Sequence, residues 1–157
     1  MSTKQDRKAY ADQLGLFLET LGLPPMAGRV WGWLLVCDPP LQTAAELARS
    51  LGASRGSIST MTRMLTRLSL IERVAIPGER SRGYQVKASG FTGLLKAKFA
   101  ATAEIRKMAD RGLDMLKDDS PETRRRLEEY RDFYAFFERE FPPLIERWER
   151  ESAGRNA

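Results

Sequence analysis

Two short helical segments lie in the middle of the chain, with only two residues between the end of the first and the cap of the second, and they limit what the chain can fold into. Apolar residues recur at helical spacing over 44–51 and again over 55–68. Gly52 is placed to end the first helix and Ser54 to cap the second, so only Gly52 and Ala53 connect them. A connection this short predicts two helices that pack against each other at a tight turn.

The second helix of this pair has two contrasting faces. Its inner face is predicted to hold Ile58, Met61, Leu65 and Leu68. The opposite face carries small, hydroxyl-bearing or basic residues and no acidic one: Gly56, Ser59, Thr60, Arg63 and Arg67, with Arg55 and Thr66 at its edge. The first helix begins at a capping box, in which Thr43 and Glu46 satisfy each other's free backbone donors.

Helices precede this pair and a hairpin follows it. Helical spacing predicts one helix over 3–21 and a mostly buried one over 26–37, the latter between two proline pairs. Strand-like patterns at 71–76 and 84–87 predict a β-hairpin. Its loop, residues 77–83, has a basic tip.

The C-terminal part is predicted to be helical. One helix is expected over 91–116, and another from Pro121, which follows the N-cap Ser120. Pro142 and Pro143 are expected to kink or restart this last helix, which leaves open whether it is one helix or two. Along it runs a heptad seam of Leu127, Tyr130, Tyr134, Phe137, Phe141, Leu144 and Trp148.

The net charge of +5 is confined to one block of the chain. Residues 1–40 carry four basic and four acidic side chains, and residues 88–157 carry fourteen of each sign. Residues 41–87 carry eight basic side chains against three acidic ones. A positive excess restricted to the helix pair and the hairpin is the electrostatic footprint of a protein that binds a polyanion.

Composition removes most catalytic and metal-binding arrangements. The chain has 157 residues, no histidine and a single cysteine, Cys37. Without histidine it has no Ser-His-Asp triad, no His-paired cysteine nucleophile and no His-bearing zinc site, and one cysteine makes no Cys₄ site. No apolar run approaches the roughly 20 residues of a membrane span. We expect a cytoplasmic protein that is not an enzyme, needs no cofactor or metal, and does not enter a membrane.

The order of helix, tight turn, amphipathic helix and basic-tipped hairpin predicts a winged helix-turn-helix. The expected fold is mainly α, with a small β-hairpin as the wing. The chain then divides into an N-terminal helix (1–22), a winged DNA-binding domain (23–88) and a C-terminal helical region (89–157).

The second helix of the pair is expected to enter the major groove of DNA, which is about 12 Å wide. Arg55 or Arg63 is the candidate for base readout, because a guanidinium can bind guanine O6 and N7 together. The recognition-helix residues assigned to DNA are Ser54, Arg55, Gly56, Ser57, Ser59, Thr60, Arg63 and Arg67.

Other residues are expected to contact the DNA backbone. On the wing, Arg80, Ser81 and Arg82 are placed to reach adjacent phosphates or a narrow minor groove. Phosphate positioning is assigned to Thr43, Arg49 and Arg73, together with Arg67.

The chain resembles the GbsR branch of the MarR-type transcriptional regulators. Three stretches carry the resemblance: LPPMAGRVWG at 23–32, LARSLGASRGSIS at 47–59 and PGER at 77–80. It covers residues 15–87, and the flanking helices by pattern only. It implies a homodimer whose terminal helices form the interface and whose two winged domains read a pseudo-palindromic operator. It also implies control by a small molecule or a covalent change that alters the spacing of the two recognition helices.

These features predict a sequence-specific regulator of transcription that binds double-stranded DNA. A repressor is favoured over an activator because blocking a promoter requires only occupancy. The alternative is a winged-helix interaction module whose basic face docks an acidic protein partner.

The aromatic residues leave alternatives open. Trp31 and Trp33 suit core packing, but they lie two positions apart on a helix and cannot both face one way, so one can border an effector pocket. The aromatic seam suits a dimer core better than a cage for a quaternary ammonium ligand, which would suit the GbsR branch. Cys37 suits a small buried hydrophobe, so a redox switch is not expected.

Overall fold

The computed structural model describes residues 1–78 and 81–154. Helices and strands within this part of the chain follow in the order α1 (Lys4–Thr20), α2 (Pro25–Val36), β1 (Gln42–Thr43), α3 (Ala44–Leu51), α4 (Arg55–Arg67), β2 (Ile71–Ala75), β3 (Arg82–Val86), α5 (Gly90–Met115) and α6 (Pro121–Ala153). The fold is mainly α with a small antiparallel sheet, as the sequence predicts. Contacts divide it into two compact units, residues 1–93 and residues 94 onward.

Side-chain caps start the helices where the sequence places them. The Thr43 hydroxyl accepts from the Glu46 backbone N–H at 3.2 Å, while the Glu46 carboxylate accepts from the Thr43 N–H at 2.7 Å. Ser54 caps α4 by accepting from the Ser57 N–H at 3.1 Å. Each cap satisfies backbone donors that have no intrahelical partner, which fixes the first residue of the helix.

The sheet has one more strand than the sequence predicts. Strands β2 and β3 pair as the expected hairpin, with Ile71 opposite Val86 and Ala75 opposite Arg82. The two-residue strand β1 adds to the other edge of β3 and gives the order β1-β3-β2. A strand of two residues shows no alternation of polarity, so its pairing depends on tertiary contacts that local pattern does not reveal.

The core of the first unit forms around the inner faces of α3 and α4. Leu47 and Leu51 of α3 and Ile58 and Leu65 of α4 are fully buried, together with Val30 of α2. Burial of a side chain of this size contributes about 1.5–3 kcal/mol. The core therefore holds α4 with its inner face against the domain and its outer face in solvent.

Glycines allow α1 and α2 to approach each other closely. A Cβ atom added to Gly28 would lie 2.7 Å from Cα of Gly15, and one added to Gly32 would lie 3.0 Å from Cα of Ala11. The two backbones are thus in direct contact, so any larger side chain at Gly28 must force them apart.

The second unit is an antiparallel helix pair formed by α5 and α6. Lys96 binds Glu149 at 2.7 Å and Arg106 binds Glu138 at 2.8 Å, so partner numbers fall along α6 as they rise along α5. Between these ion pairs, the ring of Phe99 on α5 stacks on the ring of Phe141 on α6, with the ring centroids 4.2 Å apart. Aromatic packing and flanking ion pairs hold the two helices together.

Helix α6 is continuous through Pro142 and Pro143, so of the two outcomes left open, a kink or a restart, the restart does not occur. Proline fixes φ near the helical value and removes only its own N–H. Two adjacent prolines therefore remove two consecutive hydrogen bonds, and the rest of the helix and its packing on α5 remain. Within the described residues, no helix is both long enough and apolar enough to cross a bilayer.

Replacing Gly28 with alanine tests the close contact of α1 and α2. The added methyl group must separate the two backbones, so G28A should lower the free energy of unfolding by about 1–3 kcal/mol. G93A is the control, because a Cβ at this α5 position meets nothing within 4 Å. The control should be neutral or stabilising. Urea denaturation measures both, and equal effects would contradict the close contact.

Candidate nucleic-acid interface

The outer face of α4 is exposed along its whole length. The exposed residues are Arg55, Gly56, Ser59, Thr60, Arg63, Thr66 and Arg67. Ser57 is half-buried and Ser54 is exposed, with its hydroxyl engaged in the N-cap. The orientation predicted from helical spacing is confirmed by Ile58 and Leu65, which are both 0% exposed on the inner side.

A cleft of about 380 Å³ lies between α4 and the sheet. Three arginines border it: Arg63 and Arg67 from α4 and Arg73 from β2. The remaining lining residues all carry a hydroxyl group: Ser59, Thr62, Thr66 and Tyr84. Among the described residues, no carboxylate lines the cleft and none forms an ion pair with these arginines. The cleft therefore presents donors and positive charge, which suits an oxyanion.

Tyr84 belongs to this cleft but was not among the predicted site residues. It lies directly opposite Arg73 in the β2–β3 ladder, so both side chains project from the same face of the sheet. The signal that could have found Tyr84 is the register of the hairpin, because the register decides which residue lies opposite Arg73. The sequence did not predict this register: it placed the strands at 71–76 and 84–87, whereas they pair over 71–75 and 82–86.

The wing is described only in part. Arg82 and Ser81 are exposed at the start of β3, and Arg82 lies opposite Ala75. Gly78 has φ +79°, a left-handed conformation that favours glycine in a turn. Arg80, the third predicted wing residue, lies outside the described residues.

Thr43 and Arg49 differ from the cleft residues because a carboxylate, that of Glu46, lies beside them. The Thr43 hydroxyl donates to Glu46 at 2.8 Å, so its proton is already engaged in the capping box. Arg49 is exposed on α3, and its charge helps to lower the pKa of Glu46. The larger causes of that lowered pKa are the hydrogen bonds from the Thr43 backbone and hydroxyl. Thr43 therefore acts first as a helix cap.

The two tryptophans occupy different environments. Trp33 is 4% exposed and donates from Nε1 to Gln42 at 3.4 Å, which confirms core packing for this residue. It also borders a cleft of about 290 Å³ that Lys4, Arg7 and Arg49 line as well. Trp31 is half-buried and does not line that cleft. Its Nε1 is buried without a hydrogen-bond partner in the described part of the chain.

Cys37 is half-buried at the end of α2. Burial raises the pKa of its thiol, which disfavours the reactive thiolate. This agrees with the expectation that oxidation is not the control mechanism.

The predicted aromatic seam divides between two environments. Leu127 faces Gly112 and the ring of Phe141 stacks on Phe99, so these residues pack within the chain. Tyr134 is half-buried. The other seam residues, Tyr130, Phe137, Leu144 and Trp148, are exposed. The seam thus serves the α5–α6 contact on one side and leaves an apolar strip on the other.

Comparison with known proteins identifies the family. Residues 89–151 match the family model described as "MmpR5-like MarR family transcriptional regulator". Over 138 residues the chain is 41% identical to the HTH-type transcriptional regulator MmpR5 of Mycobacterium tuberculosis (strain ATCC 25618 / H37Rv), covering 88% of this chain and 84% of that protein. The chain belongs to the MmpR5-like MarR family of transcriptional regulators. The predicted MarR-type membership is confirmed, while its GbsR branch stays a prediction.

Solved structures include regulators to which this chain is similar. A crystal structure of a transcriptional regulator is 39% identical, covers 92% of this chain and 99% of its own, and superposes with a TM-score of 0.73. The Staphylococcus aureus MepR–DNA complex is 22% identical over 74% of this chain and 94% of its own, with a TM-score of 0.43. The first of these structures supports the fold described above over nearly its full length.

Replacing Glu46 with glutamine tests the cap that starts α3. Because the folded state holds the pKa of Glu46 below its ordinary value, the carboxylate stabilises the fold above that ordinary value, and this stabilisation is lost as the pH falls through the lowered pKa. The difference in free energy of unfolding between the protein and E46Q should be greatest near neutral pH and shrink as the pH falls below the ordinary pKa of a glutamate.

E122Q provides the matched control, because Glu122 is an exposed acid in the first turn of α6. The difference in free energy of unfolding between E122Q and the parent protein should vary less with pH than the corresponding difference for E46Q. Denaturant titrations at several pH values measure both, and an E46Q difference that does not change with pH would contradict the role of the carboxylate.

Proposed function

We propose that this MarR-family regulator is a repressor that binds double-stranded DNA as a homodimer, at a pseudo-palindromic operator in the cytoplasm. The observation that carries the proposal is the acid-free cleft with its three arginines beside the exposed face of α4. In a protein with 21 acidic residues, a surface of this size without a carboxylate favours a polyanionic partner.

Helix α4 is the recognition helix in this proposal. Its exposed N-terminal half carries Gly56, Ser59 and Thr60, which are small enough to let the helix approach base edges. Arg63 Nη2 lies 3.5 Å from the Ser59 hydroxyl, one turn earlier on the same face. We assign base readout to Arg63 or Arg55, because guanidinium groups recognise guanine O6 and N7 as a pair.

The cleft is proposed to hold a phosphate of the DNA backbone. Arg67 and Arg73 supply charge, and the Tyr84 hydroxyl supplies a further hydrogen-bond donor. The Thr66 hydroxyl already donates to the Thr62 carbonyl at 2.7 Å, so it is left to accept. Such contacts position the protein on the duplex without reading its sequence. Arg82 and Ser81 of the wing, with Arg80 outside the described residues, are assigned to the adjacent backbone or the minor groove.

Dimer formation is proposed to use the exposed apolar side chains of the terminal helices. On α1, Tyr10, Phe17 and Leu21 lie on one face and are 43%, 59% and 55% exposed. On α6, Phe133 and Leu144 are 59% and 52% exposed. Apolar residues that are repeated along a helix face and left in solvent are typical of surfaces that a partner covers.

The cleft beside Trp33 is the proposed place for a small-molecule effector. Its volume of about 290 Å³ suits a small molecule, and its lining mixes an indole with charged groups. Cys37 takes no part in this control, since its raised thiol pKa favours the neutral form. No enzymatic activity is proposed.

Binding of duplex DNA at increasing salt tests the function. The logarithm of the affinity should fall linearly with the logarithm of the salt concentration, with a slope of about −0.9 for each phosphate neutralised. Affinity no tighter than millimolar for every duplex at low salt would contradict the proposal. Stoichiometric capture of an acidic protein, against which DNA competes poorly, would instead support the interaction-module alternative.

Two arginine variants separate base readout from backbone positioning. R63A should relax sequence preference and cost about 1–3 kcal/mol on the preferred duplex. R67A should weaken all duplexes alike and reduce the salt slope by about one phosphate. Fluorescence anisotropy with the preferred duplex and a scrambled one measures both effects. If R67A relaxed sequence preference and R63A weakened all duplexes alike, the assignment of base readout to Arg63 and backbone positioning to Arg67 would be wrong.

A charged substitution on α6 tests the dimer. L144E places a carboxylate in the exposed apolar strip and should weaken self-association at least tenfold, since burial of an unpaired charge is unfavourable. M115E is the control, because Met115 is 75% exposed and lies outside the predicted seam. Sedimentation of both variants and the parent measures the effect. A parent chain that is monomeric at micromolar concentration would contradict the homodimer.

A further inference from the structure

We propose that Arg29 is a positioning residue that fixes the helix-turn-helix turn relative to α1, and so sets the spacing of DNA half-sites that the dimer accepts. The proposal rests on the DNA-binding function proposed above. Arg29 lies on α2, away from the recognition face, and had no assigned role among the predicted site residues.

The guanidinium of Arg29 connects two other helices. Its Nε donates to Asp12 of α1 at 2.6 Å, and its Nη2 donates to the backbone carbonyl of Leu51 in α3 at 2.9 Å. The side chain of Arg29 is 23% exposed, so both interactions lie partly away from solvent. A planar guanidinium can hold two acceptors in fixed directions, which the single ammonium of lysine cannot do in the same way.

The carbonyl that Arg29 binds lies at the start of the turn. Leu51 is the last residue of α3, and Gly52 follows it with φ +63°. The Gly52 and Ala53 N–H groups donate back to Ala48, and Ser54 then caps α4. The carbonyl groups in the last turn of a helix have no intrahelical donor, so Arg29 supplies one. Its contact is therefore only three residues from the cap of the recognition helix.

Close packing prevents α1 from moving independently of this contact. A Cβ atom at Gly15 of α1 would lie 2.6 Å from Cγ of Arg29, so the arginine side chain passes directly over the α1 backbone. Asp12, one turn earlier on α1, then holds its guanidinium. A displacement of α1 must consequently move Arg29, the Leu51 carbonyl or both.

The proposed dimer makes this connection functional. On α1, the exposed residues Tyr10, Phe17 and Leu21 face away from Asp12 and belong to the proposed dimer surface. Arg29 thus links a helix that contacts the partner copy to the turn that aims α4. A dimer that reads two half-sites requires a defined distance between its recognition helices, about 34–36 Å for sites one helical turn apart.

Variants of Arg29 test this role with duplexes of altered spacing. R29M keeps the length of the side chain but donates no hydrogen bond, and R29K keeps the charge near Asp12. The probes are the duplex that the parent protein enriches from a random pool and derivatives with one base pair added or removed between the half-sites. Fluorescence anisotropy gives the affinity, while thermal unfolding and sedimentation report folding and dimer formation.

R29M should bind the parent duplex about tenfold more weakly while remaining a folded dimer. Its affinity for the duplexes with one base pair added or removed should fall much less than its affinity for the parent duplex. The ratio between these two affinities should therefore be smaller for R29M than for the parent protein. R29K should lie between R29M and the parent protein, and it supplies the result if R29M does not fold. The slope of affinity against salt should be unchanged, because no phosphate contact is removed.

Equal losses on all duplexes would overturn the positioning role and leave Arg29 with a structural role alone. Parent-like binding by both variants would also overturn it. These results leave the proposed function standing. Failure of the parent protein to bind any duplex would instead remove the proposed function, and with it this inference.

Discussion

The two-residue turn between α3 and α4 is the constraint on which the rest of the winged unit depends. Gly52 adopts φ +63°, and the Ala53 N–H closes the end of α3 by donating to Ala48 at 2.9 Å. Ser54 starts α4 at once. The connection is too short to let α4 rotate independently of α3. Burial of Ile58 and Leu65 therefore also decides which residues of α4 face solvent.

The distribution of charge then gives that solvent-facing surface its chemistry. Arginines are also frequent on α5 and α6, but many of them are paired there: Arg106 binds both Glu138 and Asp110, and Arg124 approaches Glu128. Among the described residues, no carboxylate lines the cleft that Arg63, Arg67 and Arg73 border. Positive charge is therefore neutralised where helices pack and left available where a polyanion is proposed to bind.

Most of the local structure could be predicted from the sequence because it depends on neighbouring residues. Capping side chains, stop glycines and helical spacing act over three or four positions, and they located α3, α4 and the hairpin closely. The family resemblance also pointed to the MarR type. Strand β1 was missed because two residues carry no pattern. The continuity of α6 through its two prolines was left open, because a local rule about proline does not include packing on α5.

The site was harder to predict where it depends on residues distant in sequence. The α4 face followed from a helical wheel, but Tyr84 joins it only through the strand register opposite Arg73. From the sequence, Arg29 is only a charged residue in an apolar helix. Its role becomes visible in the structure, where Asp12 and the Leu51 carbonyl accept its hydrogen bonds. The seam on α6 likewise divided into packed and exposed parts only when α5 was in place.

Selection of bound fragments from a random duplex pool tests the central claim of specific DNA recognition most directly, because it examines binding, specificity and half-site spacing together. A dimer with α4 as its recognition helix predicts enrichment of a pseudo-palindrome whose half-site centres lie one helical turn, or a multiple of it, apart. Recovery of fragments with no shared sequence, at a salt concentration where the protein still binds DNA, would contradict it.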